Sequence, residues 1–443
     1  MAEDVKQGLE KASEAPKFTF GGWEAAVGLT ERWLARAERV DTLLEGLPAG
    51  LTGQERARTQ QLFYGVVRWS SRIESALAGL MARPPRTKVR AVLMVAGFEL
   101  LEQGAGSKEP GVGGVAKVIH HAVEKAETVC SAKEAGLVNA VARKLATRLA
   151  EKPTDVATEF AHPEWLVARW TQQFDAATTR QLLEWNQQPA PVYVRWRIET
   201  PVPEFLAPTK WAGFFEVKAG KWDEVRRLVG EGALYVQDPS TRLCMELLSP
   251  QPSETILDAC AAPGGKSLFI ADLMKTGKIV ALDEPAAPGK TDIRLVRLKE
   301  NLSRAPSGVE VALVEADLRK VNTLFYRNLN LPEEYDAVLL DAPCSNTGVM
   351  RHRIDVKWRL QDGDFARHAE QQLELLHAAT RLVRSGGRLV YSTCSVDAQE
   401  NEQVIKAFFD SRAGSPFKLE RSVQAYPWKD GHDGAGAFLL KRS

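Results

Sequence analysis

One stretch restricts the fold of this chain more than any other: residues 335–348, Tyr-Asp-Ala-Val-Leu-Leu-Asp-Ala-Pro-Cys-Ser-Asn-Thr-Gly. Its centre, 337–340, is a short apolar run of the kind that fills a parallel sheet buried on both faces. The run stops at Asp341 and breaks at once into Ala-Pro-Cys-Ser, so an acid and a thiol, Cys344, emerge together at the carboxyl end of a strand. Open α/β sheets place their ligand sites there. A second run, Gly387-Arg-Leu-Val-Tyr-Ser-Thr-Cys-Ser, has the same form and delivers Cys394. Two thiols and one carboxylate should then face one crevice.

The surrounding pattern alternates strand and helix from Thr255 onward. Strands are expected at 255–259, 278–282, 309–315, 337–340 and 388–392. Helices are expected from Gly264, at 292–304, at 365–384 and near 399–409. That order predicts a doubly wound, Rossmann-like α/β domain. Residues 417–419 and 436–441 are left to form edge strands, as an antiparallel hairpin.

The 443 residues exceed the usual single-domain size, and 44% apolar with 26% charged residues is ordinary for a globular protein with full cores. From Trp23 to Ala150 apolar residues recur at helical spacing, as in Leu62, Val66, Trp69, Ile73 and Leu77. Gly and Pro punctuate these runs at 46–53, 84–85 and 104–114, which predicts about six or seven short helices. Residues 1–18 are polar and expected to fray. The expected divisions are 1–150, an all-α domain; 151–245, a linker (151–159) followed by a small α+β segment; and 246–443, the α/β domain.

The front resembles a known module. Tyr64-Gly-Val-Val-Arg-Trp, Val89-Arg-Ala-Val-Leu-Met-Val-Ala-Gly-Phe-Glu-Leu-Leu, His121-Ala-Val-Glu-Lys-Ala and Leu137-Val-Asn-Ala-Val-Ala-Arg-Lys look like the NusB-type RNA-binding helical domain. The net charge of +1 decides nothing about nucleic acid, but residues 51–90 carry eight Lys/Arg against Glu55 and Glu74. This local excess predicts a phosphate-facing patch.

The five cysteines, Cys130, Cys244, Cys260, Cys344 and Cys394, are widely spaced with no CxxC pair, so neither a disulfide framework nor a metal site is expected. The start, Met-Ala-Glu-Asp, carries acid where a signal peptide needs base, and apolar runs such as 91–96 are too short for a bilayer. A reducing, cytoplasmic location and no membrane partner are expected.

Ile256-Leu-Asp-Ala-Cys-Ala-Ala-Pro-Gly-Gly-Lys-Ser is a strand followed by a small-residue turn that opens a helix. Small residues let a ligand approach the backbone, and free amides at the helix start favour an anion. As a phosphate-binding loop it lacks the first glycine, because Cys260 stands there. As an S-adenosylmethionine site, residues Cys260, Ala261, Ala262, Pro263, Gly264, Gly265 and Lys266 would meet the amino-acid part of the cofactor, with Asp341 nearby. Asp283, ending the second strand, would hold the ribose hydroxyls, and Asp317, ending the third, the adenine amino group.

Carbon 5 of a pyrimidine is a poor nucleophile. A thiolate adding to carbon 6 makes carbon 5 reactive toward a sulfonium methyl, and a carboxyl at N3 steadies the ring charge. Two thiols and Asp341 suit these steps, with Lys266, Arg351 and Lys357 as candidate cations to lower a thiol pKa. Cys130, Cys244 and Cys260 read as structural. The chemistry alone does not say which thiol attacks.

Asp258-Ala-Cys-Ala-Ala-Pro-Gly-Gly-Lys-Ser, Asp341-Ala-Pro-Cys-Ser-Asn-Thr-Gly-Val-Met-Arg-His-Arg-Ile-Asp-Val-Lys-Trp-Arg-Leu and Tyr391-Ser-Thr-Cys-Ser-Val, with Glu400-Asn-Glu, resemble the Sun/Fmu (RsmB-like) family of RNA cytosine-5 methyltransferases. The resemblance implies Cys394 as nucleophile and Cys344 as the thiol that assists product release. It also implies S-adenosylmethionine as methyl donor and small-subunit ribosomal RNA, not DNA, as partner. Three positions depart from the family: Asn346 stands where Gly is usual, Trp196 follows Arg195 where Asn is usual, and the loop 282–294 is long and proline-rich. Two other classes stay open at this stage, a phosphate-loop nucleotidase and an RNA-binding assembly factor without turnover, the latter disfavoured by the intact cysteine pair.

Overall fold

The computed structural model describes residues 21–36, 38–106 and 112–443. The polar segment 1–18 and the middle of the break at 104–114 lie outside them. The chain forms two compact units, one ending at Glu164 and one beginning at Trp165.

In the first unit, six helices precede residue 151 among the described residues: Gly22–Arg36, Val40–Glu45, Gly53–Leu77, Thr87–Gly106, Val112–Val129 and Ala132–Ala150. Several are longer than the sequence punctuation suggests. Gly53–Leu77 runs 25 residues from a capping box in which Thr52 and Glu55 satisfy each other's backbone amides. Thr87–Gly106 is the hub: residues 91–96 are 0% exposed, as expected of a helix apolar all round. A Cβ on Gly65 would overlap the Phe98 ring, so Gly65 lets this pair of helices approach closely. The segment 151–159, read as linker, holds a helical turn, Val156–Glu159, capped by Asp155.

The expected basic patch is corrected here. Arg58 pairs with Glu99, Arg86 with Glu134 at 2.7 Å and Arg90 with Glu74 at 2.6 Å. Arg56 and Arg72 donate to main-chain carbonyls at Leu51 and Leu149. Counting charges along 51–90 missed acids such as Glu99 and Glu134, which lie elsewhere in sequence. Most of these arginines fasten helices to one another.

The second unit opens with the helices Glu164–Phe174 and Ala176–Gln187. A four-stranded antiparallel sheet follows, from β1 (Tyr193–Trp196), β2 (Leu206–Pro208), β3 (Phe214–Val217) and β4 (Leu234–Val236), in the order β2-β3-β1-β4. It has its own small core of Val194, Leu206, Val225, Leu228 and Leu234.

The main sheet contains β5 (Thr255–Asp258), β6 (Gly277–Asp283), β7 (Val309–Glu315), β8 (Tyr335–Asp341), β9 (Val383–Thr393), β10 (Phe417–Ala425) and β11 (Ala435–Arg442), ordered β10-β11-β9-β8-β5-β6-β7. The five strands β5 to β9 pair in parallel, and β10 and β11 close one edge antiparallel. The chain runs outward from β5 to β7, then returns to lay β8 on the other side of β5. The switch point, where such sheets hold ligands, therefore lies above the tips of β5 and β8. Strand cores such as Ile256, Leu257, Val338, Leu339 and Val390 are 0% exposed, consistent with burial on both faces. The largest differences from expectation are at three boundaries: the helix expected over 365–384 ends at Thr380, β9 begins five residues before 388, and the edge strand expected over 417–419 runs to Ala425.

Candidate active site

Register alone brings the two thiols together. Asp341 of β8 pairs with Ser392 of β9, and Ala342 N–H donates to Ser392 O at 2.8 Å, so the next residues of both strands leave the sheet side by side. The Cys344 and Cys394 sulfur atoms stand 3.1 Å apart, both as free thiols. Gly348 N–H donates to Cys394 O at 2.9 Å, and a Cβ on Gly348 would strike the backbone of both Cys394 and Gly434. Glycine is required there.

Asn346 explains one departure. Its φ of 61° is left-handed, where Gly is easiest and Asn is among the next most tolerated. The turn therefore survives the change. The Asn side chain also donates Nδ2–H to Cys344 O at 2.8 Å and places Oδ1 3.4 Å from Cys394 Sγ.

Behind the thiols lies a buried polar network; Glu400 and Asn401 of the motif Glu400-Asn-Glu belong to it, though the sequence alone assigned these residues no role. Glu400, 0% exposed, accepts from Ser345 N–H at 2.8 Å, from Ser345 Oγ and from Gln372 Nε2 at 3.1 Å. Asp397, also 0% exposed, accepts from Arg169 at 2.9 Å and Thr347 at 2.7 Å. Asn401 donates to the carbonyls of Ser395 and Asp397, both at 3.0 Å. The available signal was a dense polar run, 392–402, directly after an apolar strand.

A hydrogen bond joins the two thiols, and either sulfur can be its donor. The bond from Cys344 lowers the Cys394 pKa; burial and Asp341 oppose this, and the charges of Arg353 and Lys266 assist it. Cys344 moves up, through that same bond, burial and the nearby Glu400. Of the cations named from sequence, Lys266 acts on Cys394, while Arg353 takes the place given to Arg351 and Lys357. Arg351 instead donates to Pro189 O at 2.6 Å and stacks on Trp185.

Lys266 Nζ donates to Asp341 Oδ2 at 2.7 Å. Burial works against the ammonium, but Asp341 and the nearby thiols outweigh it and hold Lys266 charged. The three other cysteines behave as structural thiols, with burial pushing Cys244 up to about 12 and raising Cys260 and Cys130 as well.

The tips of β5 and β6, where a cofactor is expected, are tied together: Asp283, 6% exposed, accepts Ala262 N–H at 2.8 Å. Gly264 has φ 99°, and Cβ atoms on Gly264 and Gly265 would meet Leu298 and the Tyr235 ring. These two glycines serve close packing of the loop, a role beyond the ligand approach expected for them. Asp258 is fully buried, accepts from Ser267 Oγ at 2.6 Å and keeps Oδ1 without a partner; burial pushes its pKa up to about 7. Asp317 differs: Arg319 and Lys320 fill its lone pairs at 2.9–3.2 Å and hold it down to about 2. At the Trp196 departure, Trp196 donates Nε1–H to Thr200 O within the small sheet's own loop, while the buried Arg195 ties that sheet to the helix Gly265–Met274 through Asp272 at 2.6 Å. In the loop after Asp283, Asp292 caps the helix Ile293–Leu302, and Arg294 lies 4.0 Å from Asp283 Oδ1.

Among the described residues no helix is long and apolar enough to cross a membrane.

Residues 245–430 match the family described as 16S rRNA methyltransferase RsmB/F, and residues 27–147 match the NusB family. The chain is 30% identical over 430 residues to the ribosomal RNA small subunit methyltransferase B of Serratia proteamaculans, covering 92% of this chain and 95% of that one. It is 32% identical over 400 residues to the protein of the same name from Klebsiella pneumoniae, covering 85% and 87%. A crystal structure of a methyltransferase homologue from Pyrococcus horikoshii superposes with a TM-score of 0.52 at 23% identity over 65% of this chain and 98% of that one, which bears on the fold alone. The alternation of strand and helix, the thiols at the switch point and these matches agree: the chain belongs to the RsmB/F family of rRNA methyltransferases, enzymes that use S-adenosylmethionine.

Proposed function

We propose that this protein methylates carbon 5 of a cytosine in small-subunit ribosomal RNA through a covalent adduct with Cys394. The observation that carries the reading is the placement of two free thiols 3.1 Å apart beside a carboxylate–ammonium pair. S-adenosylmethionine would lie along the β5–β6 tips, between residues 260–266 and Asp283, and supplies an electrophilic methyl group when bound.

Cys394 adds to carbon 6 as the thiolate and pushes electron density toward N3 and carbon 5. N3 takes up a proton through the carboxyl of Asp341, whose Oδ2 is held in place by Lys266. Carbon 5 takes the methyl group and then loses its proton to a water molecule, which returns it to Cys344 once the product has left. The sulfur–carbon 6 bond breaks, and Cys344, whose raised pKa keeps it protonated, gives a proton to the departing Cys394 thiolate. Asp317 reaches the adenine amino group by giving up Lys320, its most exposed partner. Domain roles follow the same reading: residues 1–150 bind RNA, 151–245 form a module before the catalytic domain 246–443, and the cytoplasm is the compartment.

Incubating the chain with 16S ribosomal RNA and methyl-labelled S-adenosylmethionine, then digesting the RNA to nucleosides, tests the proposal. Label recovered as 5-methylcytidine is the expected result. Label in any other nucleoside refutes the carbon-5 chemistry.

A further inference from the structure

Beside the thiols, three separate segments of the second unit converge on Asp238, His352 and Asp433. Asp238 follows β4, His352 lies in the loop after Cys344, and Asp433 precedes β11. His352 Nε2 is 3.8 Å from Asp238 Oδ2 and 3.6 Å from Asp433 Oδ1, and one ligand atom from each residue lies within 4.8 Å of the others. These separations are too long for hydrogen bonds. They are close to the roughly 3.0–3.5 Å between neighbouring ligand atoms that bonds of about 2.1 Å to one ion would set.

The acids are held for this arrangement. Asp238 Oδ1 accepts from Ser240 N–H at 2.8 Å and Asp433 N–H at 3.2 Å. The opposite oxygens, Asp238 Oδ2 and Asp433 Oδ1, have no hydrogen-bond partner, although Asp433 is 5% exposed. A buried carboxylate oxygen with no hydrogen bond, as on Asp433, is costly unless a cation reaches it.

We propose that Asp238, His352 and Asp433 bind one divalent cation of the kind that prefers oxygen and imidazole ligands, such as Mn²⁺. The site joins three loops. Asp433 adjoins Gly434, whose N–H donates to Gly348 O at 2.8 Å, and Gly348 N–H donates in turn to Cys394 O at 2.9 Å. The cation therefore fastens the turn on which the nucleophile rests.

The test uses the whole chain, freed of metal by a chelator and titrated with Mn²⁺ alone, with bound ion counted by electron paramagnetic resonance. Mn²⁺ is the right probe because softer ions would favour the Cys344–Cys394 thiols. One bound equivalent and a higher melting temperature are expected for the unaltered chain. His352→Gln and Asp433→Asn should each weaken binding at least tenfold. Unaltered chain that takes up no Mn²⁺ at millimolar concentration and shows no thermal shift would overturn the site, as would unchanged affinity in both variants. If a variant fails to fold, the unaltered chain alone still decides.

Discussion

The thiol end of the crevice and its cofactor end stand on one parallel sheet, yet their acids are held in different ways. Behind Cys344 and Cys394, the buried Glu400 and Asp397 accept bonds from Ser345, Gln372, Arg169 and Thr347, and Asn401 fastens the main chain between them. At the cofactor end, Asp258 is buried with one oxygen unpartnered, Asp283 shares one bond with Ala262, and Asp317 is filled by its own neighbours. The thiols are thus fixed before any substrate arrives, whereas the acids around the cofactor have bonds still to make or exchange. A covalent reaction needs a nucleophile placed to within a fraction of an ångström. A bound cofactor can complete its own site.

That contrast can be broken at four acids. Asp258 should give the largest stability effect. Its carboxyl rises from 3.8 to about 7, so the folded chain keeps a proton that the unfolded chain releases, and stability falls as pH climbs from about 4 to 7. The loss is about 4 kcal/mol at most. Asp258→Asn should flatten this decline, measured by urea unfolding across that range, and parallel pH curves for both proteins would count against it.

Glu400→Ala comes next. Removing the acceptor strands buried donors on Ser345 and Gln372, at a cost of about 3 kcal/mol in unfolding free energy. Methyl transfer should fall about 100-fold, since the Cys344 turn loses its support, while cofactor affinity measured by calorimetry stays near normal. Equal damage to cofactor binding would erase the difference between the two ends.

The smallest effects should separate the two cofactor acids. Asp283→Asn should weaken S-adenosylmethionine binding about tenfold, or 1.4 kcal/mol. Asp317→Asn should weaken it less, because its carboxylate must first release Lys320. The reverse ranking would mean that the adenine contact dominates.

Much of the catalytic unit was legible because buried parallel strands leave a direct mark. The runs at 279–282 and 337–340 are apolar and buried on both faces, and each ends in an acid, Asp283 or Asp341. The early start of β9 was hidden because Arg384-Ser-Gly-Gly carries no apolar signal; neighbouring β8 supplies its pairing at Tyr335 with Val383. Partners distant in sequence were invisible for a similar reason. Arg86 finds Glu134 on another helix, and Arg353 acts on Cys394 where Arg351, two residues earlier, turns to Pro189. Short glycine runs carry two meanings, and at Gly264 and Gly265 the close packing against Leu298 and Tyr235 was the meaning that the sequence did not display. The departure at Asn346 was readable in principle, since Asn is the residue that best tolerates the left-handed turn a glycine would occupy.

The division of labour between the thiols is tested most directly by denaturing electrophoresis of the chain with substrate RNA and S-adenosylmethionine. Cys344→Ala should give a slow-migrating protein–RNA band that withstands denaturation, and Cys394→Ala should give neither that band nor methylated product. A stable adduct on Cys394→Ala, or turnover by it at the normal rate, would contradict the account.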